Sequence, residues 1–194
     1  MPFYESSKRP SQGKFKRLQF IVDLIGLRGL NYDAVAALLG LSRPIIYTAI
    51  REDDMLLSRA EAICEVLDSS LTITLSLDPG KDGITTAIDP SLMIHTPYGF
   101  KLKRLAFLSL FMARYGISRG EIARRTGLSP STVATWFQND DIKISRLFQV
   151  IDAIGASIRV DIDAHEKNSG EEQPSPENQR SYVINIRSTK SVLL

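Results

Sequence analysis

The strongest constraint on this chain is that much of it occurs twice. Sliding the sequence by 87 residues aligns Arg17–Leu75 with Arg104–Ile162 without a gap, and 14 of the 59 pairs are identical. Unrelated sequences agree at roughly one position in 16. The shared positions include Gly29 with Gly116, Ala36 with Ala123, and Gly40-Leu41-Ser42 with Gly127-Leu128-Ser129. They continue with Thr48 and Thr135, Asp53-Asp54 and Asp140-Asp141, and Ser58-Arg59 and Ser145-Arg146. Pairs such as Val35/Ile122, Ile46/Val133 and Ile63/Val150 keep the apolar phase. Such a chain is expected to build one supersecondary unit twice.

The unit reads as four helices and then strands. Leu18, Ile21, Leu24 and Ile25, like Leu105, Leu108, Phe111 and Met112, recur at helical spacing and define helix one. Gly29 and Gly116 break it. Asn31 and Ser118 are candidate caps for helix two, and Glu121 three residues after Ser118 fits a capping box. Gly40 and Gly127 end that helix. Ser42 and Ser129 cap helix three, and Pro130 suits its first turn, where a missing N–H costs nothing. Ser58 and Ser145 open helix four, which runs to Leu67 or Ile154.

The period then becomes two, in "SLTITLSL" (Leu71, Ile73, Leu75, Leu77) and "SIRVDID" (Ile158, Val160, Ile162), the mark of half-buried strands. "DPGKDG" (78–83) is a turn signal, with "GITTAI" (83–88) as a returning strand. "HEKNSGEEQPSPENQR" (165–180) has almost no apolar residue, and "YVINIR" (182–187) resumes alternation.

Several classes of function find no support in the residues. No apolar run is long enough to span a bilayer, and "MPFYESSKRPSQGKFKR" lacks the apolar stretch of a secretory signal, so a cytoplasmic protein is expected. Cys64, with no partner for a disulfide, reads as a small core residue. One cysteine with His95 and His165 makes no zinc site of the usual kind, and no cofactor is expected. Neither a Gly-rich phosphate loop, nor paired catalytic carboxylates, nor a nucleophile elbow is present, so no enzyme is expected. The Asp-Asp pairs after helix three read as turn and cap features. Charge is distributed unevenly: residues 14–68 carry seven Lys/Arg against eight Asp/Glu, and residues 101–155 carry nine against four. The basic surplus therefore sits in the second repeat.

"GEIARRTGLSPSTVATWFQND" resembles the helix-turn-helix of the Cro/C1-type (XRE) repressor family. The resemblance rests on Ala123, Gly127, Leu128, Ser129, Val133, Trp136 and Phe137, the last three facing inward. In the first repeat it rests on Ala36, Gly40, Leu41, Ser42, Ile46 and Ala49. It covers residues 14–68 and 101–155, and neither the strands nor the tail. It implies a mainly α fold with a small β component. Two tandem four-helix helix-turn-helix units would each be followed by strands that form a shared antiparallel sheet about a pseudo-two-fold. The expected divisions are a flexible basic N-terminal arm (1–13), the first unit with its strands (14–90), the second with its strand (91–163), a disordered loop (164–181), and a C-terminal strand and tail (182–194).

In such a unit the N-terminus of helix three enters the major groove. Candidates for base readout in the second unit are Ser131, Thr132, Thr135 and Gln138. In the first they are Arg43, Ile45, Thr48 and Arg51, with Arg43 able to make the common bidentate contact to guanine. Candidates for phosphate contact are Ser129, Arg119, Arg124, Lys143 and Arg146, with Ser42 and Arg59 in the first unit. The acidic first unit is expected to bind DNA less strongly.

The expected function is a double-stranded-DNA-binding transcriptional regulator, a repressor acting on an imperfect inverted repeat. An exposed strand edge could pair with a second chain to give a homodimer. Two alternatives stand beside this reading. One is an autoregulating antitoxin or anti-defence operon protein whose C-terminal tail binds a partner protein. The other is a protein-interaction scaffold derived from helix-turn-helix units.

Overall fold

Helix boundaries fall where the glycines and short polar residues of the repeat stand. The structure, a computed structural model, describes residues 16–77, 93–96, 99–164 and 179–184. Its first four helices are α1 (Gln19–Leu27), α2 (Tyr32–Leu38), α3 (Arg43–Glu52) and α4 (Leu57–Val66), followed by strand β1 (Ser69–Ser76). After β2 (Met93–Thr96) and β3 (Gly99–Leu102) come α5 (Ala106–Tyr115), α6 (Arg119–Thr126), α7 (Pro130–Asn139) and α8 (Ile144–Ile154). Strands β4 (Ser157–Ala164) and β5 (Gln179–Ile184) complete the described chain. The protein is mainly helical with a small antiparallel β component.

Most of the expected caps form. Asn31 Oδ1 accepts from Ala34 N–H (2.9 Å), Ser118 Oγ from Glu121 N–H (3.0 Å) and Ser129 Oγ from Thr132 N–H (3.1 Å). Ser42 stands at the start of α3 without a side-chain cap bond. Gly40 and Gly127 follow α2 and α6 at φ +64° and +69°, and a Cβ at either would meet no atom within 4 Å. Glycine is needed there for its backbone conformation and not for space.

Two expectations are corrected. Ser58 and Ser145 do not open helix four: the N-cap positions of α4 and α8 are Leu56 and Lys143, neither of which makes a side-chain cap bond. The serine side chains instead turn to the other repeat. Glu121 does not complete a capping box either, because its carboxylate reaches forward to arginines on the next turn.

The Asp-Asp pairs explain why they occur in both repeats. Asp53 and Asp140 end α3 and α7 in the left-handed conformation, at φ 53° and 50°. Asp53 accepts from the N–H groups of Arg17 and Leu18 (both 2.9 Å), ahead of α1 of the same repeat. Asp140 does so for Arg104 and Leu105 (2.7 and 2.9 Å), ahead of α5. The next residue crosses over. Asp54 accepts from Ser145 N–H (2.9 Å) and Oγ–H (2.8 Å), and Asp141 from Ser58 N–H (3.0 Å) and Oγ–H (2.6 Å). Each carboxylate thus caps a helix of the opposite repeat. Main-chain bonds cross as well, from Leu57 N–H to Ile142 O (2.9 Å) and from Ile144 N–H to Met55 O (2.8 Å). An ion pair joins Arg104 Nε to Glu61 Oε2 at 2.6 Å.

Strands extend this seam. β1 pairs antiparallel with β4 along its full length, with Ile73 opposite Val160, and β5 lies on the far side of β4. The sheet buries Leu75, Ile158, Val160 and Ile162 on one face, as period two demands. Buried side chains of both repeats join one hydrophobic cluster, in which α4 and α5 pack against β1.

Cys64 belongs to that cluster, and its thiol is pushed up to about 12, first by burial and then by Glu61 and Glu65. The thiolate is the nucleophile, so Cys64 is expected to stay inert toward a thiol reagent at pH 8 and to react on addition of denaturant. Full labelling of the native protein within minutes would contradict this placement.

Strand boundaries depart from expectation in three places. β4 runs through Ala164, which was expected to open the disordered loop. β5 begins at Gln179 and not at 182, so Gln179–Ser181 belong to a strand and not to a disordered loop. A hairpin of β2 and β3 precedes α5 where no strand was expected. The basic arm (1–13), "DPGKDG", the expected strand 83–88, residues 165–178 of the expected loop and the tail beyond 184 lie outside the described residues.

Candidate nucleic-acid interface

In the second repeat, α6 packs against α7, and Ala123 and Val133 are buried on their inner faces. The small Ala123 side chain lets the two helices approach closely, and the opposite face of α7 is left to solvent. Ser129, Ser131, Thr132, Thr135 and Gln138 are all exposed on it. Their hydroxyls are linked: Ser129 Oγ lies 2.9 Å from Ser131 Oγ and 2.7 Å from Thr132 Oγ1. Thr135 Oγ1 donates to Ser131 O at 2.9 Å, so its hydroxyl is engaged on the helix. The first turn of α7 is therefore a patch of small polar groups with few long side chains to order. Trp136 and Phe137, read as inward-facing, are half-buried and pack against the core from its margin.

Cations stand on the neighbouring α6 and at the start of α8. The Arg119 guanidinium lies over the Phe137 ring, 4.4 Å from its centroid, in cation–π contact. Arg124 is tied to Glu121 by Nη2 (2.7 Å) and Nε (2.8 Å), and Arg125 reaches the same carboxylate through Nε (2.6 Å). These bonds hold the Glu121 carboxyl down at about 2, Arg124 contributing most and Arg125 next. Glu121 therefore stays ionised far below neutral pH and offsets much of the local positive charge. Lys143 and Arg146 line a cleft of about 370 Å³ with Leu56 and Trp136. Lys143 Nζ is 3.7 Å from Asp54 Oδ2, and Arg146 Nη1 donates to Gln149 Oε1 at 2.7 Å.

The first repeat presents a different surface. Arg43 and Arg51 are exposed on α3, while Ile45 and Thr48 are half-buried. Arg51 lies near Glu52 (3.7 Å). Ser42 is exposed and Arg59 half-buried. Tyr32, Ala37 and Leu38 occupy the positions of Arg119, Arg124 and Arg125, so the flanking cations are missing. Leu38 is 56% exposed and Tyr47 45%. Arg43 Nε lies 2.7 Å from Asp33 Oδ1, a contact between α2 and α3.

The candidate residues of the second repeat are thus exposed on α6 and α7, with Lys143 and Arg146 beside the seam. Sequence reasoning missed Glu121 as a neutralising group, Asp33 and Tyr47 as neighbours of Arg43, and the crossing roles of Asp54, Asp141, Ser58 and Ser145. The last four carried a signal, since all are identical between repeats although polar.

Among the described residues, no helix is long and apolar enough to cross a membrane, and no group of three or more His, Cys, Asp or Glu is placed to hold a metal ion. Compared with known proteins, the chain matches no family model, no curated protein and no solved structure.

Proposed function

We propose that this chain is a sequence-specific double-stranded-DNA-binding regulator of the Cro/C1 type, a repressor that carries two helix-turn-helix units related by a pseudo-two-fold. The observation that carries this reading is the exposed polar first turn of α7, set after a glycine turn, with Arg119 and Arg124 exposed on the adjoining α6. A groove-binding helix needs small polar groups near base edges and cations near phosphates.

The pseudo-two-fold is supported by the crossing contacts. In a two-fold interface, residue i touches j and j touches i. Here Asp54 with Ser145 and Asp141 with Ser58 are the same contact under an offset of 87. Leu56 meets Lys143, and Ile73 meets Val160, each residue opposite its own counterpart. Both pairs therefore lie on the proposed axis. Such an axis suits an inverted repeat, and the unlike α3 and α7 make an imperfect one the expected target. Phosphate contacts from Ser129, Arg119, Arg124, Lys143 and Arg146 supply most of the affinity, with Ser42 and Arg59 minor contributors.

The test is binding of the full chain to a randomised duplex library. Wild-type protein enriches a defined site, and replacing Ser131, Thr132 and Thr135 by alanine changes the preferred bases in one half-site. Enrichment of the same site by that variant removes α7 as the reader.

Glu121→Gln is expected to tighten binding by roughly tenfold at low salt and to steepen the salt dependence by about one to two phosphate equivalents, because it releases Arg124 and Arg125. An unchanged slope in a salt titration means those arginines do not face DNA. Glu121 is held well below the ordinary carboxyl value, so it stays charged above that value and is neutralised only as pH falls through about 2. Wild-type affinity should therefore show no step from this group between pH 5 and 8.

A further inference from the structure

Four replacements between the repeats occur together and build one device. Asp33 sits in the first turn of α2, Arg43 opens α3, and Tyr47 lies one turn further along α3. Arg43 Nε is 2.7 Å from Asp33 Oδ1, and its guanidinium carbon lies 5.4 Å from the Tyr47 ring centroid. The Tyr47 ring is met edge-on by Tyr32 at 5.2 Å and 89°. In the second repeat, Tyr32, Asp33, Arg43 and Tyr47 become Arg119, Gly120, Pro130 and Ala134. The carboxylate, the guanidinium and the supporting ring are all replaced.

The arrangement has a physical consequence. A guanidinium carries five N–H donors in a rigid fork. Arg43 is ion-paired with Asp33 and neighboured by the Tyr47 ring, yet its side chain is 66% exposed, so the guanidinium stays within reach of a ligand. Guanine offers two acceptors, O6 and N7, on its major-groove edge, and the fork matches both. Holding the fork in advance lowers the entropy lost on contact. Pairing also cancels the charge, so Arg43 with Asp33 releases few counterions from phosphate. The device favours base discrimination over bulk affinity, the opposite of the cation-rich face of the second repeat.

We infer that Arg43, positioned by Asp33 and Tyr47, reads a guanine in the half-site under the first repeat and that the second half-site has no such contact, so the chain binds its imperfect inverted repeat in one orientation. This rests on the DNA-binding reading above. Asp33 and Tyr47 are positioning residues and touch no base.

The experiment uses the full chain, a selected duplex, and the same duplex with 7-deazaguanine, which lacks N7, at each guanine in turn. Wild-type protein is expected to lose about tenfold or more in affinity from one such replacement in one half-site. Arg43→Ala removes that sensitivity and keeps the preference and salt dependence of the other half-site. Asp33→Asn keeps or raises total affinity but cuts the guanine preference several-fold, and Asp33→Glu restores part of it. A merely structural Asp33 would lower binding to every sequence alike. Unchanged guanine preference in Arg43→Ala or Asp33→Asn overturns the inference. Selection of a site with readout by the second repeat alone overturns it while the regulator reading stands. A wild-type chain that selects no site overturns both.

Discussion

Replacing Asp54 and Asp141 together with alanine is expected to lower the unfolding free energy by about 4 kcal/mol, and each single change by about 2 kcal/mol. Each carboxylate accepts a backbone N–H and a hydroxyl from the opposite repeat, and Asp141 Oδ1 also accepts from Ile142 N–H at 2.9 Å. A charged acceptor in such a site is worth more than a neutral one, and its removal leaves the first turn of α4 or α8 uncapped. The two sites lie side by side, separated by the Leu56–Lys143 bridge, so the double change need not equal the sum of the singles. Urea denaturation of the four proteins measures this. A double variant within about 1 kcal/mol of wild type would remove the seam from the account, given how little net stability a domain has.

Phe111→Ala is expected to cost about 3–5 kcal/mol, the range for emptying a fully buried aromatic site. Phe111 is 0% exposed on α5 and lies against Tyr115 with ring centroids 4.7 Å apart. Its helix packs on β1, a strand of the other repeat. The loss should therefore be felt by both halves. Trp136 fluorescence, which reports on the second repeat, and far-ultraviolet circular dichroism, which reports on all helices, should give coincident midpoints in wild type and variant. Two separated transitions would mean that the repeats unfold independently, against a shared core.

Local features were readable from sequence because they depend on neighbours within a few residues. Leu18, Ile21, Leu24 and Ile25 announced α1, and Asn31, Ser118 and Ser129 form the caps that their types favour. Alternation in Leu71–Leu75 and Ile158–Ile162 located β1 and β4. Relations across the chain were harder to read. Ser58 and Ser145 looked like ordinary N-caps, because a serine at a helix start has the same local signature whether its oxygen meets its own helix or a carboxylate from the other repeat. Glu121 fitted a capping box by spacing, yet two arginines on the following turn outcompete one backbone N–H for its charge. The β2–β3 hairpin is only four residues a side, too short for period two to stand out. At the candidate interface, exposure of Ser131, Thr132, Thr135 and Gln138 followed from helical phase alone. The pairing of Arg43 with Asp33 did not, since they lie on different helices whose crossing only the fold supplies.

The two repeats emerge as unequal partners. One has an exposed polar helix start with cations beside it, and the other has an arginine held between a carboxylate and a ring. A symmetric dimer of identical chains cannot present two different surfaces to one duplex, and the proposed fused pair can. In the proposed regulator, fusion would also keep the second unit near DNA once the first has bound.

The central claim is that both units of one chain engage one duplex. Hydroxyl-radical footprinting of the full chain on its selected site measures this directly. The account predicts two protected segments on the same face of the duplex, centred roughly one helical turn apart, with unequal protection and unlike half-site sequences. Inserting half a turn of DNA between them should abolish protection of the first-repeat segment. A single protected segment indifferent to that insertion, or no protection at concentrations that bind the duplex, would contradict it.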